Sequence, residues 1–158
     1  MLTDLGLDDA ELLNNFHKLG PAAQRELKEY MSYLLCKQYK REVIITVFHN
    51  KLLNNLLHGL LHLIESEELD MNQIGRRVMQ IKELYYALFE KVHSAYAELV
   101  EDLDGCEVVK EFGRSGFANL LQALASNKPN RVRMEVIDFY QGFDSLSRHR
   151  MARKIVAV

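Results

Sequence analysis

The chain predicts an all-α fold: five or six helices in a bundle, built around a long antiparallel helical hairpin and dimeric. Three features predict it. Leucines come in pairs at Leu52-Leu53, Leu56-Leu57 and Leu60-Leu61, followed by Leu63-Ile64. Pairs recurring every four residues give a helix a wide apolar stripe, and one neighbouring helix cannot cover a stripe that wide. Further on, Ile74, Val78, Ile81, Tyr85, Leu88, Val92, Tyr96 (or Ala95), Leu99 and Leu103 alternate spacings of four and three. That is the seam of a helix packed along a second one. Only two prolines and eight glycines occur, so long helices run uninterrupted.

The elements follow in order within a single domain, 1–158. In 1–20 a first helix runs from about Asp9 to Lys18, with Asp8 as N-cap and Glu11 at the capping-box position. Gly20-Pro21 ends it and opens the next, proline being preorganised for a first helical position. Leu27, Tyr30, Met31, Leu34 and Leu35 then fall on one face. Val43-Ile44-Ile45-Thr46-Val47 is β-branched and lowers helix propensity. A short buried strand competes there, but helical spacing on both sides and the absence of a turn residue favour helix. A straight helix over 21–68 would reach roughly 70 Å. It must therefore bend near 38–46, or the molecule is elongated and oligomeric.

Asp70 starts the antiparallel partner over 71–103, with Gln73 at the capping-box position. C-terminal helices occupy 105–154. Asp104 with Glu107 starts one, Gly113-Arg114-Ser115-Gly116 interrupts it, and Asn127-Lys128-Pro129-Asn130 forms a turn. The last helix carries Val132, Val136, Phe139, Tyr140, Phe143 and Leu146.

Composition narrows the function classes. With 158 residues, 48% hydrophobic and 27% charged, the chain is long and apolar enough for its own core. A net charge of -2 argues against whole-surface electrostatic binding of nucleic acid. Cys36 and Cys106 have no companion at metal or redox spacing and read as thiols of a reducing cytosol, with a single disulfide between them as the alternative. No signal peptide is visible, and Asn54, Asn55, His58 and His62 break the longest apolar stretch. The expectation is a cytoplasmic protein with no membrane contact.

Candidate sites were weighed against plainer readings. His58, His62 and Glu65 share one helical face, a sensible donor set for zinc or iron, or simply the polar side of the leucine helix. Glu90 and His93 form a Glu-x-x-His pair, as in di-iron bundles, but a second such motif is missing. On a simple hairpin they sit opposite Thr46 to His49. Gly113-Arg114-Ser115-Gly116 offers backbone N–H groups to an anion, with a helix–helix corner the favoured alternative. Residues 128–158 carry +4 and the remainder -6. Arg148, Arg150, Arg153 and Lys154 in that stretch suit phosphates or an acidic partner. They equally suit a helix C-terminus, where cations offset the macrodipole.

Leu19-Gly20-Pro21-Ala22-Ala23-Gln24-Arg25-Glu26-Leu27 resembles the helix that follows the DNA-reading domain in some bacterial helix-turn-helix repressors. There it supports self-association. The likeness spans about two turns of a common pattern. The twenty residues before it are too few for a reader, so no function is carried over.

Nucleophile elbow, nucleotide fingerprint, paired cysteines and acid–base pair are all missing, which removes the main reason to propose an enzyme. No cofactor is implied. The leading expectation is a non-enzymatic interaction or regulatory module that self-associates through Leu52, Leu53, Leu56, Leu57, Leu60, Leu61 and Ile64. Its partners would be a second copy and another protein. The alternatives are a nucleic-acid-associated regulator using the basic C-terminus, which is not favoured, and a metal-binding bundle.

Overall fold

The computed structural model describes residues 7–99 and 107–156, with side chains described for 8–99 and 108–148. The described residues form six α-helices and one π-helical turn: α1 (Leu7–Lys18), α2 (Pro21–Val43), the π turn (Ile44–Phe48), α3 (Lys51–Leu63), α4 (Met71–Ala97), α5 (Glu107–Ala125) and α6 (Pro129–Val156). The fold is an all-α bundle, as the apolar periodicities predict.

Contacts give the helix directions. Gln38 meets Tyr96, Phe48 meets Tyr85, and Gly59 faces Arg77, so α4 runs antiparallel to α3, the π turn and the end of α2. Phe89 meets Lys110 while Tyr86 meets Phe117, which makes α5 antiparallel to α4. Phe112 meets Phe143 and Phe117 meets Phe139, so α6 is antiparallel to α5. Tyr140 on His58 and Ser147 on His49 return α6 alongside α3 and close a four-helix bundle. Its centre is a set of touching rings: Phe48, Tyr85, Phe112, Phe117, Phe139 and Phe143.

Several expectations are corrected. The 21–68 stretch is two helices, and the β-branched run between them is helical but π-wound, with Ile44, Val47 and Phe48 buried. Asn50 then recaps the chain: its Oδ1 accepts from Leu53 N at 2.9 Å and starts α3. Asp8 lies in the first turn of α1 rather than capping it. Asp70 does cap α4, accepting from Gln73 N at 3.2 Å. On α4 the seam residues Ile74 to Tyr96 are buried, but Phe89 takes the buried place expected for half-buried Leu88, Ala95 is exposed, and Leu99 is 59% exposed. Leu103 and Cys106 lie outside the described residues.

The interruption expected at Gly113–Gly116 is absent; α5 runs through it. Those glycines serve packing. A Cβ at Gly113 would lie 2.7 Å from the Tyr85 ring, and one at Gly116 would lie 2.8 Å from Phe139. The turn before α6 forms as expected, with Asn127 at φ 55°, a conformation asparagine tolerates.

One part of the fold stands outside the bundle. Gln38 is already level with Tyr96, and α4 ends at Ala97. The first four turns of α2 therefore continue past α4 by about 24 Å at 1.5 Å per residue. α1 joins them at the Gly20 corner, where Gln24 donates to the Phe16 and Leu19 carbonyls. Among the described side chains, this α1–α2 arm has no buried residue before Tyr39.

Candidate functional site

The leucine helix distributes its stripe within the chain. Leu53, Leu57, Leu60 and Ile64 are buried in the chain's own core, between α4 and α6. Leu56 and Leu61 are half-buried, and Leu52 is 58% exposed. Four of the seven residues expected to carry self-association are thus covered within the chain. The stripe is wide because α3 is packed on two sides by its own bundle.

The histidine face of α3 splits. His62 Nδ1 sits 3.3 Å from Glu65 Oε2 on an exposed surface, while His58 Nε2 approaches the Tyr140 hydroxyl at 3.4 Å. Among the described residues, no group of three or more His, Cys, Asp or Glu is placed to hold a metal ion. His93 lies against α2, not opposite Thr46 to His49: its Nδ1 is 3.0 Å from the Tyr39 hydroxyl and its ring stacks on Phe89. Residues spent at the π turn and the 49–50 break shift the register.

The Gly113–Gly116 segment is mid-helix, so its amides belong to the helical ladder and present no anion site. Ser115 Oγ donates to the Glu111 carbonyl. Of the basic segment, Arg148 Nε reaches Asp144 at 3.1–3.2 Å, one turn earlier on α6. Arg150, Arg153 and Lys154 belong to α6, and their side chains lie outside the description.

Two open depressions mark the surface. One, of about 190 Å³ between α5 and α6, is lined by Phe112, Ser115, Gly116, Asn119, Glu135, Asp138 and Phe139. The other follows a single face of α4 from Met71 to Glu83. Neither converges side chains from several helices on an enclosed point. Among the described residues, no helix is long and apolar enough to cross a membrane.

The unusual surface is the arm. Leu12, Leu13, Leu19, Tyr30, Met31, Tyr33 and Leu34 are each 39–65% exposed. Tyr30 and Tyr33 stack at 6.2 Å, and Lys37 Nζ lies 5.6 Å over the Tyr33 ring. The opposite side of α2 enters the core through Tyr39 and Val43, with Leu35 and Cys36 half-buried against it. The predicted face of Leu27, Tyr30, Met31, Leu34 and Leu35 is thus divided: Tyr30, Met31 and Leu34 turn away from the bundle, while Leu35 is half-buried against the core. Among the described residues, no other helix packs over that outward face, and its side chains stay 43–57% exposed at Tyr30, Met31, Tyr33 and Leu34.

No local pattern in the sequence points to Arg133. Its guanidinium donates to the carbonyls of Ile64, Ser66 and Glu67 at 2.7–3.1 Å and closes the end of α3 onto α6. In comparison with known proteins, no family model, no curated protein and no solved structure matches this chain.

Proposed function

We propose that the protein is a non-enzymatic, cytoplasmic helical interaction module that self-associates through its α1–α2 arm. The observation that carries the reading is the exposed apolar row on that arm, above all Tyr30, Met31 and Leu34 at 57, 52 and 43%. Apolar surface of this kind is stabilised by covering it, at roughly 25 cal/mol per Å². The bundle needs no partner to complete its core, whereas the arm has none of its own.

The test is solution mass by size exclusion with light scattering across a range of protein concentrations. The wild type is expected to pass from monomer to dimer. Tyr30→Glu with Leu34→Glu is expected to stay monomeric with unchanged helicity. Leu52→Glu, on the leucine face, is expected to dimerise like the wild type. A wild type that stays monomeric at every concentration, or an arm variant that still dimerises, would overturn the reading.

A further inference from the structure

The apolar face of α2 has the pattern of a two-stranded seam. Ala23, Leu27, Tyr30 and Leu34 are spaced four, three and four, and the cationic Lys37 and Arg41 continue the spacing with three and four. This is a heptad repeat along the helix. The seam lies on the side away from the bundle: Ala23 and Leu27 are half-buried, and the other four are exposed. A bundle helix does not need a seam on its outer side.

We infer that the occupant of this seam is α2 of a second copy, running antiparallel about a two-fold axis level with Ser32. This rests on the self-association reading and deepens it by fixing the partner and its direction. In that register Pro21 of one helix is level with Val43 of the other, so the two α2 helices overlap over their full length. Leu34 layers on Tyr30 of the second copy, and Leu27 layers on the aliphatic stem of Lys37, whose ammonium reaches solvent. Each contact occurs twice, as an isologous interface requires.

Charge complementarity selects the direction. Residues flanking such a seam set the orientation of the helices. One flank of α2 reads Glu26, Tyr33, Lys40. Antiparallel pairing brings Glu26 of each copy to within about 3 Å of the level of Lys40 on the other and sets the two Tyr33 rings close to the axis. Parallel pairing would leave Glu26 beside the same level of its partner and give Lys40 no acid on this flank. Within one chain Glu26 and Lys40 are about 21 Å apart along the helix and cannot interact.

Area agrees. The half-exposed side chains of this seam and its flanks present on the order of 600 Å² per chain, slightly below the roughly 800 Å² per partner of a standard stable interface. That is the size of a reversible dimer, not of an obligate one.

A charge-swap cycle in the full-length protein tests the inference by sedimentation velocity over a concentration series. Glu26→Lys alone and Lys40→Glu alone each place two like-charge pairs at the interface. Each is expected to weaken self-association roughly tenfold. An equimolar mixture of the two variants restores both opposite-charge pairs, and so does the doubly swapped chain. Both are expected to regain wild-type affinity, with circular dichroism unchanged throughout. Dimerisation of all variants with wild-type strength would overturn the antiparallel register while leaving self-association standing. So would weakening that neither the mixture nor the double swap repairs. A monomeric wild type would overturn both.

Discussion

At the scale of single residues, glycine separates what the sequence announces from what packing requires. Gly113 and Gly116 read as a helix break because glycine lowers helix propensity, yet α5 passes straight through them. The reason lies on other helices: the Tyr85 ring occupies the space a Cβ at Gly113 would need, and Tyr85 is held by its hydroxyl donating to the Val109 carbonyl at 2.7 Å. Gly113→Ala gains about 1 kcal/mol of helix propensity and meets overpacking of about 1–3 kcal/mol. The expected net effect is destabilisation by about 1 kcal/mol. Gly75→Ala meets nothing within 4 Å and is expected to stabilise by about 0.5–1 kcal/mol. Urea denaturation of both variants checks the pair, and equal effects at the two sites would contradict the packing account.

Phenols supply a second prediction at this scale. Burial pushes the Tyr96 hydroxyl above its ordinary value of 10.0, helped by the Glu42 carboxylate beside it, and burial also raises Tyr86. The folded state then holds phenolic protons that the unfolded chain releases at about pH 10. Stability is unaffected below that pH and falls as pH rises above it, because the unfolded state binds fewer protons there. Tyr96→Phe is expected to flatten this alkaline decline. Stability measured by denaturant at pH 8, 10 and 11 reads the slope, and an unchanged slope in the variant would refute the assignment.

At the scale of elements, the Asp70 cap is legible in the sequence, whereas the Asn50 cap and the Arg133 clamp are not. Asp70 followed by Gln73 announces the start of α4 from the sequence, because the capping interaction is local. Asn50 escaped notice: it sits inside an apolar run that reads as continuous helix, and only the π turn before it makes a new start necessary. Asn50→Ala is expected to cost about 1 kcal/mol. Arg133 is less legible still, since its carbonyl partners lie more than sixty residues away. Its planar fork reaches these carbonyls from two separated nitrogens, Nε and Nη2, a spread that the single nitrogen of an ammonium lacks. Arg133→Ala is expected to cost about 1–2 kcal/mol, and Arg133→Lys to recover less than half of that, by thermal or chemical denaturation. Full recovery by lysine would mean that charge alone matters there. The leucine stripe shows a related limit. Its width said that two neighbours cover it, but periodicity cannot say whether they come from the same chain. For α2 the spacing marks Leu27, Tyr30, Met31, Leu34 and Leu35 as one face, and the structure divides it, with Leu35 half-buried against the core. Its neighbour, or lack of one, depends on where α4 ends, and no residue of α2 encodes that.

At the scale of the molecule, the bundle and the arm differ in what holds them. The bundle closes on its own ring cluster, and its amides can exchange with solvent only by opening that core. Among its described side chains the arm has no buried residue before Tyr39, so its helices open at small free energy while the chain is alone. Pairing with a second copy changes this by mass action. At concentrations about a hundredfold above the dissociation constant, a bound partner adds about 2.7 kcal/mol, or roughly a hundredfold slower exchange. Hydrogen exchange read by mass spectrometry is therefore expected to divide the chain in two. Peptides covering 21–36 should exchange quickly in dilute protein and become protected as concentration rises. Peptides covering the buried parts of α3, α4, α5 and α6 should be slow and indifferent to concentration. Tyr30→Glu with Leu34→Glu should hold 21–36 in its fast regime at every concentration without altering the bundle. If the arm were instead protected at all concentrations, its stability would come from within the chain, and the exposed row on α2 would have no need of a partner.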